Sequence, residues 1–237
     1  MKRVVITGMA GISALGSDWA TVQEGLQSGR SAIRTMTDWS RYAELNTRLA
    51  GPIGDFQPPA HWTRKQLRSM GRVSQLAVRA AELALADAAL LGDPSIADGR
   101  MGVACGSSVG STAEIRAFGN MLLNGVTDDL NANSYVRMMP HTTAANVGIF
   151  FELKGRIIPT SSACTSGSQG IGYAYEAIRY GRQALMLAGG AEELCASEAL
   201  VFDALYATSQ KNDTPELTPR PYDRDRDGLV IGEGGGM

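Results

Sequence analysis

Short runs of small apolar and β-branched residues alternate along this chain with segments of helical periodicity, and that alternation constrains the fold more than any other feature of the sequence. The runs are RVVIT at 3–7, RMGVACG at 100–106, RIIPTSSA at 156–163 and ALMLAGG at 184–190. Short apolar runs without strict polar alternation read as strands buried on both faces, and strands interleaved with helices build an α/β architecture with helices covering the sheet. The longest helical pattern covers 63–91, where Leu67, Met70, Val73, Leu76, Ala77, Ala80, Leu83 and Ala84 share one face; Gly92 and Pro94 supply the stop. Pro, Gly and Asp crowd 51–62 and 210–228, which read as loops. No low-complexity linker or short repeat interrupts the chain, so 1–237 reads as a single domain.

Composition narrows the function. Of 237 residues, 44% are hydrophobic and 19% charged, enough apolar material for a sizeable core. A net charge of -2 creates no overall field toward nucleic acid or an anionic membrane, so neither is expected as a partner and any basic docking surface has to be local. No stretch approaches the ~18 apolar residues of a membrane span, and Thr7 and Gly8 interrupt the apolar opening before it reaches signal-peptide length. Cys105, Cys164 and Cys195 are odd in number and widely spaced; they fit neither a disulfide framework nor paired zinc ligands, and they favour a reducing, cytoplasmic setting.

Three local motifs suggest other chemistry. TGMAGISALG places glycines after the first run but lacks the middle glycine of a dinucleotide fingerprint and a following acidic residue at the right distance. DRDRDG at 223–228 resembles the start of a calcium loop, yet its twelfth position is Gly234, not the bidentate glutamate such a loop needs, so it reads as a charged turn. GSSVG at 106–110 satisfies the pattern of a nucleophile elbow, with Ser108 at its centre and Asp128, Asp129 and His141 available as partners; a serine hydrolase is therefore the rival reading, and a glycine-rich strand end with a hydroxyl helix cap is the structural one.

Cys164 lies between RIIPTSSA and a segment in which Ile171, Ala174 or Tyr175, and Ile178 fall at helical spacing. That puts it at a helix start, where free backbone N–H groups and the positive end of the dipole favour a thiolate nucleophile. Gly167, Gly170 and Gly172 each cost about 1 kcal/mol relative to Ala in a helix interior. Three of them in two turns suit close approach of a long, thin substrate arm. Cys105 and Cys195 read as small buried hydrophobes.

The stretch SSACTSGSQGIGYA resembles the active-site signature of the β-ketoacyl-[acyl carrier protein] synthases, the elongating condensing enzymes of the thiolase-like superfamily. KRVVITGMAGISALG, GRMGVACGSSVG, LAGGAEE and RPYDRDRDGLVIGEGGGM resemble further segments of that family, in the family's order, across nearly the whole chain. The resemblance implies a thiolase-like fold, layered α-β-α-β-α in the full enzyme, of which this chain carries the N-terminal half with a mixed sheet flanked by helices. It implies that Cys164 accepts an acyl group from the phosphopantetheine of acyl carrier protein, with its own N–H as an oxyanion donor, before decarboxylative condensation with a malonyl thioester. It implies no resident cofactor or metal, and a homodimer or a heterodimer with a related subunit.

The family's two histidines and supporting lysine belong to a second half, and neither His61 nor His141 occupies their motifs. Family members dock the acidic carrier through basic residues on the helix that here begins near Arg64, so Arg64, Lys65, Arg68 and Arg72 are the expected docking residues, with Ser69 standing where a further lysine is common. Tyr135, Met138, Met139 and His141, in YVRMMPHTTAAN, are expected near the acyl pocket and dimer interface. MMPHTTA together with SSACTSGSQ also resembles synthases of aryl-polyene pathways, which leaves fatty-acid and polyene or polyketide elongation both open. A non-catalytic partner subunit of the chain-length-factor type would lack the nucleophilic cysteine that Cys164 provides.

Overall fold

Burial on both faces marks the central strand of this protein. In the computed structural model, which describes residues 1–54 and 56–237, the run Met101–Gly106 is buried at every position. Its neutral, small side chains allow helices to approach from above and below.

In chain order the elements are β1 (Gly11–Ser13), α1 (Trp19–Gln27), β2 (Arg34–Thr35), β3 (Leu49–Gly51), α2 (Arg64–Leu67), α3 (Arg72–Asp87), β4 (Met101–Gly106), α4 (Thr112–Asn124), α5 (Ala132–Met138), α6 (Thr142–Phe150), β5 (Ile157–Pro159), α7 (Ser166–Arg179), β6 (Leu185–Glu192), α8 (Ala196–Asp203), β7 (Ile231–Gly232) and β8 (Gly234–Gly236). They group into two compact units. Met1–Gly11, Gln57–Glu193 and Gly235–Met237 form one, and Ile12–Phe56 with Leu194–Gly234 form the other.

The first unit carries the larger sheet, of order β1-β8-β6-β4-β5, which β1 enters at Gly11. β4 pairs in parallel with both neighbours, setting Val103 beside Ile157 and Leu187. α3 and α6 pack on each other and on the sheet, while α7 lies along β4, β5 and β6. The predicted apolar face of α3 is confirmed in its centre, with Val73, Leu76, Ala77, Ala80 and Ala84 all buried.

Two expectations fail here. The run RVVIT forms no strand: Val5 and Ile6 are 61% and 79% exposed, and the segment is held by single bonds, Lys2 N–H to Arg179 O at 2.9 Å and Met9 N–H to Asp87 Oδ2 at 2.8 Å. A strand needs a neighbour to complete its ladder, and among the described residues none lies beside 3–7. The helix predicted over 63–91 is two helices, broken at 68–71. Asn146 of α6 explains the break: its Nδ2 donates to Ser69 O at 3.1 Å and its Oδ1 accepts from Ser69 Oγ at 2.8 Å, drawing the backbone off a helical path. α3 also ends at Asp87, ahead of Gly92, because Ala89 adopts φ +55° and Leu90 N–H turns back to Leu85 O at 2.8 Å.

In the second unit β2 pairs antiparallel with β3, and β3 parallel with β7, so this small sheet is mixed. Trp39, Leu45, Ala50 and Ala199 form its core. The predicted loops are present at 210–228 and around 51–62; Asp55, inside the latter, lies outside the described residues.

Asp203, buried at the end of α8, ties this unit together. It accepts from Asn46 N–H at 2.8 Å, Asn46 Nδ2 at 2.9 Å, Thr47 N–H at 3.3 Å and Thr208 Oγ1 at 2.6 Å. Burial opposes ionisation, but these donors outweigh it and hold the carboxyl below the ordinary carboxylate value. A depressed folded pKa contributes stability that is complete above the unfolded value of about 4 and is lost as pH falls through the folded value. Asp203→Asn, which turns an amide NH₂ toward these donors, should cost roughly 1–3 kcal/mol at neutral pH. It should also flatten the acid limb of the stability curve; urea unfolding at stepped pH checks both.

Candidate active site

Three parallel strands end at one place. Thr160 N–H, just past β5, donates to Cys105 O of β4 at 3.1 Å. A Cβ on Gly190 of β6 would lie 3.1 Å from Gly106 O and 3.3 Å from Gly167 Cα, at the start of α7. The carboxyl ends of β4, β5 and β6 and the first turn of α7 therefore meet, the position at which open α/β sheets bind ligands.

Cys164 sits at this meeting point, exposed, two residues before α7. The residue before it, Ala163, adopts φ +56°, a left-handed conformation that costs a non-glycine residue on the order of 1–2 kcal/mol. Side-chain hydroxyls close the turn around it. Ser166 Oγ accepts from Ser162 N–H at 2.9 Å and donates to Ala163 O at 2.6 Å; Thr165 Oγ1 lies 2.9 Å from Ser162 O; Ser162 Oγ donates to Thr160 O at 3.2 Å. Sequence reading located the elbow but gave no signal for the left-handed alanine.

The three glycines of α7 differ in what they do. A Cβ on Gly170 would stand 2.5 Å from Ala104 O, so this glycine lets the helix lie flush on β4. Gly167 faces the Gly189–Gly190 backbone at ordinary contact distance, and Gly172 faces open space. The expectation that all three serve a substrate arm is thus corrected for Gly170, whose purpose is helix-to-sheet packing. Cys105 is fully buried and burial pushes its thiol up to about 12, which fits an inert core residue. Cys195 is half-buried at the N-cap of α8, with Ser197 Oγ 3.2 Å from its sulfur.

The rival centre at Ser108 is filled by a carboxylate. Glu192, the last residue of β6, accepts from Ser108 N–H at 2.5 Å, Val109 N–H at 3.4 Å and Ser107 Oγ at 2.7 Å. A serine elbow uses the N–H after its nucleophile to receive an oxyanion. Here a negative charge already occupies that donor, and Asp128, Asp129 and His141 are exposed with no bond to Ser108. The adjoining Glu193 accepts from Val73 N–H at 3.0 Å, Thr112 N–H at 2.7 Å and Thr112 Oγ1 at 2.6 Å, so one buried carboxylate caps two helices whose own N-cap residues offer no side-chain bond. Neither role was visible in the sequence.

The remaining expected residues are dispersed. Tyr135 is exposed on α5, edge-on to Phe118 at 6.0 Å; Met138, the last residue of α5, and Met139, its C-cap, are half-buried, and His141 is the exposed N-cap residue of α6. A Cβ on Gly110 would overlap Met138 O, so this turn rests on the 106–110 loop. Arg64 and Lys65 are exposed on α2 and Arg68 at its end, whereas Arg72 begins α3, is half-buried and is not a free charge. The expected stripe with a four-residue repeat is therefore replaced by a cluster of three. His61 bonds Glu82 Oε1 at 2.6 Å, and Arg79 holds the other oxygen of that carboxylate. The 223–228 segment is a charged turn with Arg220–Asp223 at 3.0 Å and Arg224–Asp225 at 3.4 Å, and no group of three or more metal-ligating side chains occurs among the described residues.

The chain around this cysteine elbow has the thiolase-like fold, shared over nearly its whole length with solved ketosynthases. The profile described as "Beta-ketoacyl synthase, N-terminal domain" matches residues 1–237, and the chain belongs to that family. It is 36% identical over 240 residues to 3-oxoacyl-[acyl-carrier-protein] synthase 1 of Escherichia coli strain K12, covering 100% of this chain and 58% of that protein. A crystal structure of a β-ketoacyl synthase from Burkholderia phymatum STM815 is 64% identical with TM-score 0.97, over 100% of this chain and 58% of that one. A chain in the structure of a type II polyketide acyl-carrier protein in complex with its ketosynthase bound to the hexaketide is 29% identical with TM-score 0.77, over 99% of this chain and 57% of that one. The chain thus spans a little over half the length of these relatives.

The packing at α7 gives a paired prediction. Gly170→Ala should destabilise the fold by roughly 1–3 kcal/mol by lifting α7 off β4, whereas Gly172→Ala, in open space within the helix, should stabilise it by up to about 1 kcal/mol. Thermal unfolding of the two variants separates the roles.

Proposed function

We propose that the full-length protein containing this chain is a 3-oxoacyl-[acyl carrier protein] synthase, and that Cys164 is its acyl-accepting nucleophile. The observation that carries the reading is the exposed sulfur of Cys164 at the elbow where β4, β5 and β6 end, in a chain matched by the family from first residue to last. In the first half-reaction the Cys164 sulfur attacks the thioester carbonyl of an acyl-phosphopantetheine, forms a thioester to the enzyme and expels the carrier thiol. In the second, a malonyl-carrier thioester loses CO₂, and the resulting carbanion attacks the acyl-enzyme carbonyl. The new carbon–carbon bond forms as the bond to Cys164 sulfur breaks, returning the thiol and a 3-oxoacyl carrier two carbons longer.

The long substrate arm arrives on a carrier. Arg64, Lys65 and Arg68 form the basic surface for an acidic carrier protein, a reading supported by their exposure and by the carrier–ketosynthase complex among the relatives. The turn of Tyr135, Met138, Met139 and His141 is the proposed wall for the acyl chain, in fatty-acid or polyene elongation. A homodimer accounts for the exposed apolar faces of the first unit: Leu122 and Leu123 on α4, Ile171 and Tyr173 on α7, and Ile157 on the edge strand β5. No described helix is long and apolar enough to cross a membrane, and three free cysteines fit a cytoplasmic setting.

Incubating the full-length protein with an acyl-carrier thioester should add one acyl mass to a peptide containing Cys164, and Cys164→Ala should abolish the adduct; label on Ser108 would restore the hydrolase reading. For docking, Lys65→Glu with Arg68→Glu should raise the carrier Kd roughly tenfold at low ionic strength and much less at high salt. Equal affinity at low salt would exclude this surface.

A further inference from the structure

We propose that Ser166 is a positioning residue for Cys164, acting through the backbone of Ala163. The elbow contains a contradiction: its tightest turn falls on an alanine, whose Cβ disfavours the left-handed region that it adopts at φ +56°. Such a conformation persists only where its surroundings over-determine it. A single hydroxyl brackets Ser162 and Ala163, bonding the peptide group before the first and the peptide group after the second. Ser166 Oγ accepts the N–H of Ser162 at 2.9 Å, before the alanine, and donates its own hydrogen to the Ala163 carbonyl at 2.6 Å, directly before Cys164. Ser166 is 4% exposed and is the first residue of α7, so its rotamer is fixed by packing. Its backbone N–H also donates to Ala163 O, at 3.0 Å, which leaves that carbonyl with both lone pairs engaged.

The consequence lies one bond further on. The dihedrals of Ala163 set the direction in which the Cα–Cβ bond of Cys164 leaves the chain, and the hydroxyl clasp holds the dihedrals of Ser162 and Ala163 together. Ser166 touches neither the sulfur nor a substrate. Its contribution is to keep an exposed sulfur aimed at one point over the strand ends, when Ala163 would otherwise relax to a right-handed or extended conformation and turn the thiol away. Thr165 Oγ1, on Ser162 O, holds the peptide group directly before Ala163.

This inference rests on the nucleophile reading of Cys164, but its test is independent of the biological acyl donor. In the full-length protein, the rate of Cys164 alkylation by iodoacetamide is followed by mass spectrometry across pH, and the limiting rate at high pH, where the thiolate fraction is complete, is compared among variants. Buried Cys105 serves as the marker of intact packing. Ser166→Ala should lower the limiting rate about tenfold or more, in line with the cost of small misplacements of reacting groups. Ser166→Thr, which keeps the hydroxyl, should restore it to within about twofold of the starting protein. In an Ala163→Gly background, where the left-handed turn carries no steric penalty, replacing Ser166 by Ala should have a much smaller effect.

The proposal is overturned if folded Ser166→Ala alkylates at the unaltered rate, if Ser166→Thr is as impaired as Ser166→Ala, or if the effect of Ser166→Ala is undiminished in the glycine background. Should Ser166→Ala expose Cys105 to the reagent, the threonine variant and the glycine-background pair decide the matter. Failure of acyl transfer with normal alkylation contrasts would count against the synthase reading and leave this one standing.

Discussion

Two adjacent carboxylates at the end of β6 hold the functional end of the first unit. Glu193 is buried, and a buried carboxylate is expensive unless donors compensate it. Its donors are the N–H groups that open α3 and α4 and the hydroxyl of Thr112, so the charge that would otherwise oppose folding caps two helices at once. Neither helix has a capping side chain of its own, which makes the orientation of both depend on where β6 ends. Glu192, one residue earlier, gathers the loop after β4 through Ser107, Ser108 and Val109. The two side chains together fix the loops around the carboxyl ends of the parallel strands.

The cysteine elbow stands at the carboxyl ends of the same strands. Glycine at 170 lets α7 rest on the backbone of β4, and that contact sets how far its first turn stands above the strand ends. Ala163 and Ser166 then settle direction. Distance is thus governed by a missing side chain, and angle by a hydroxyl; both act through the backbone, which is the stiffest support available to an exposed sulfur. The same loop network removes the competing serine, because a carboxylate on the backbone donors of 108 and 109 repels the anion an acylating serine would have to stabilise.

What the sequence disclosed, and what it withheld, follows from the range of the interactions involved. β4 could be read because burial on both faces writes itself as a continuous apolar run, β6 because its short run of small apolar residues is buried at alternate positions from Leu187, and the centre of α3 because its buried positions recur at helical spacing. Cys164 could be read because a helix start, small neighbours and a family signature coincide on one short stretch. The break at 68–71 could not, since it is made by Asn146, which is 77 positions away from Ser69 in the chain. The same holds for the capping by Glu193, 120 residues from Val73. Local pattern also misjudged 3–7, where β-branched residues promise a strand but nothing beside them completes a ladder.

The left-handed alanine is the most informative of these omissions. Propensity alone would put glycine at 163, and glycine would make the turn with less strain. Alanine there restricts the unfolded and the folded chain alike, so that once the clasp has formed the turn has fewer alternatives to sample. A flexible residue beside an exposed nucleophile would let the sulfur wander over several orientations, and reaction with a thioester carbonyl demands one approach. The strain at Ala163 and the hydroxyl of Ser166 belong to a single device: the first makes the turn discriminating, the second makes it hold.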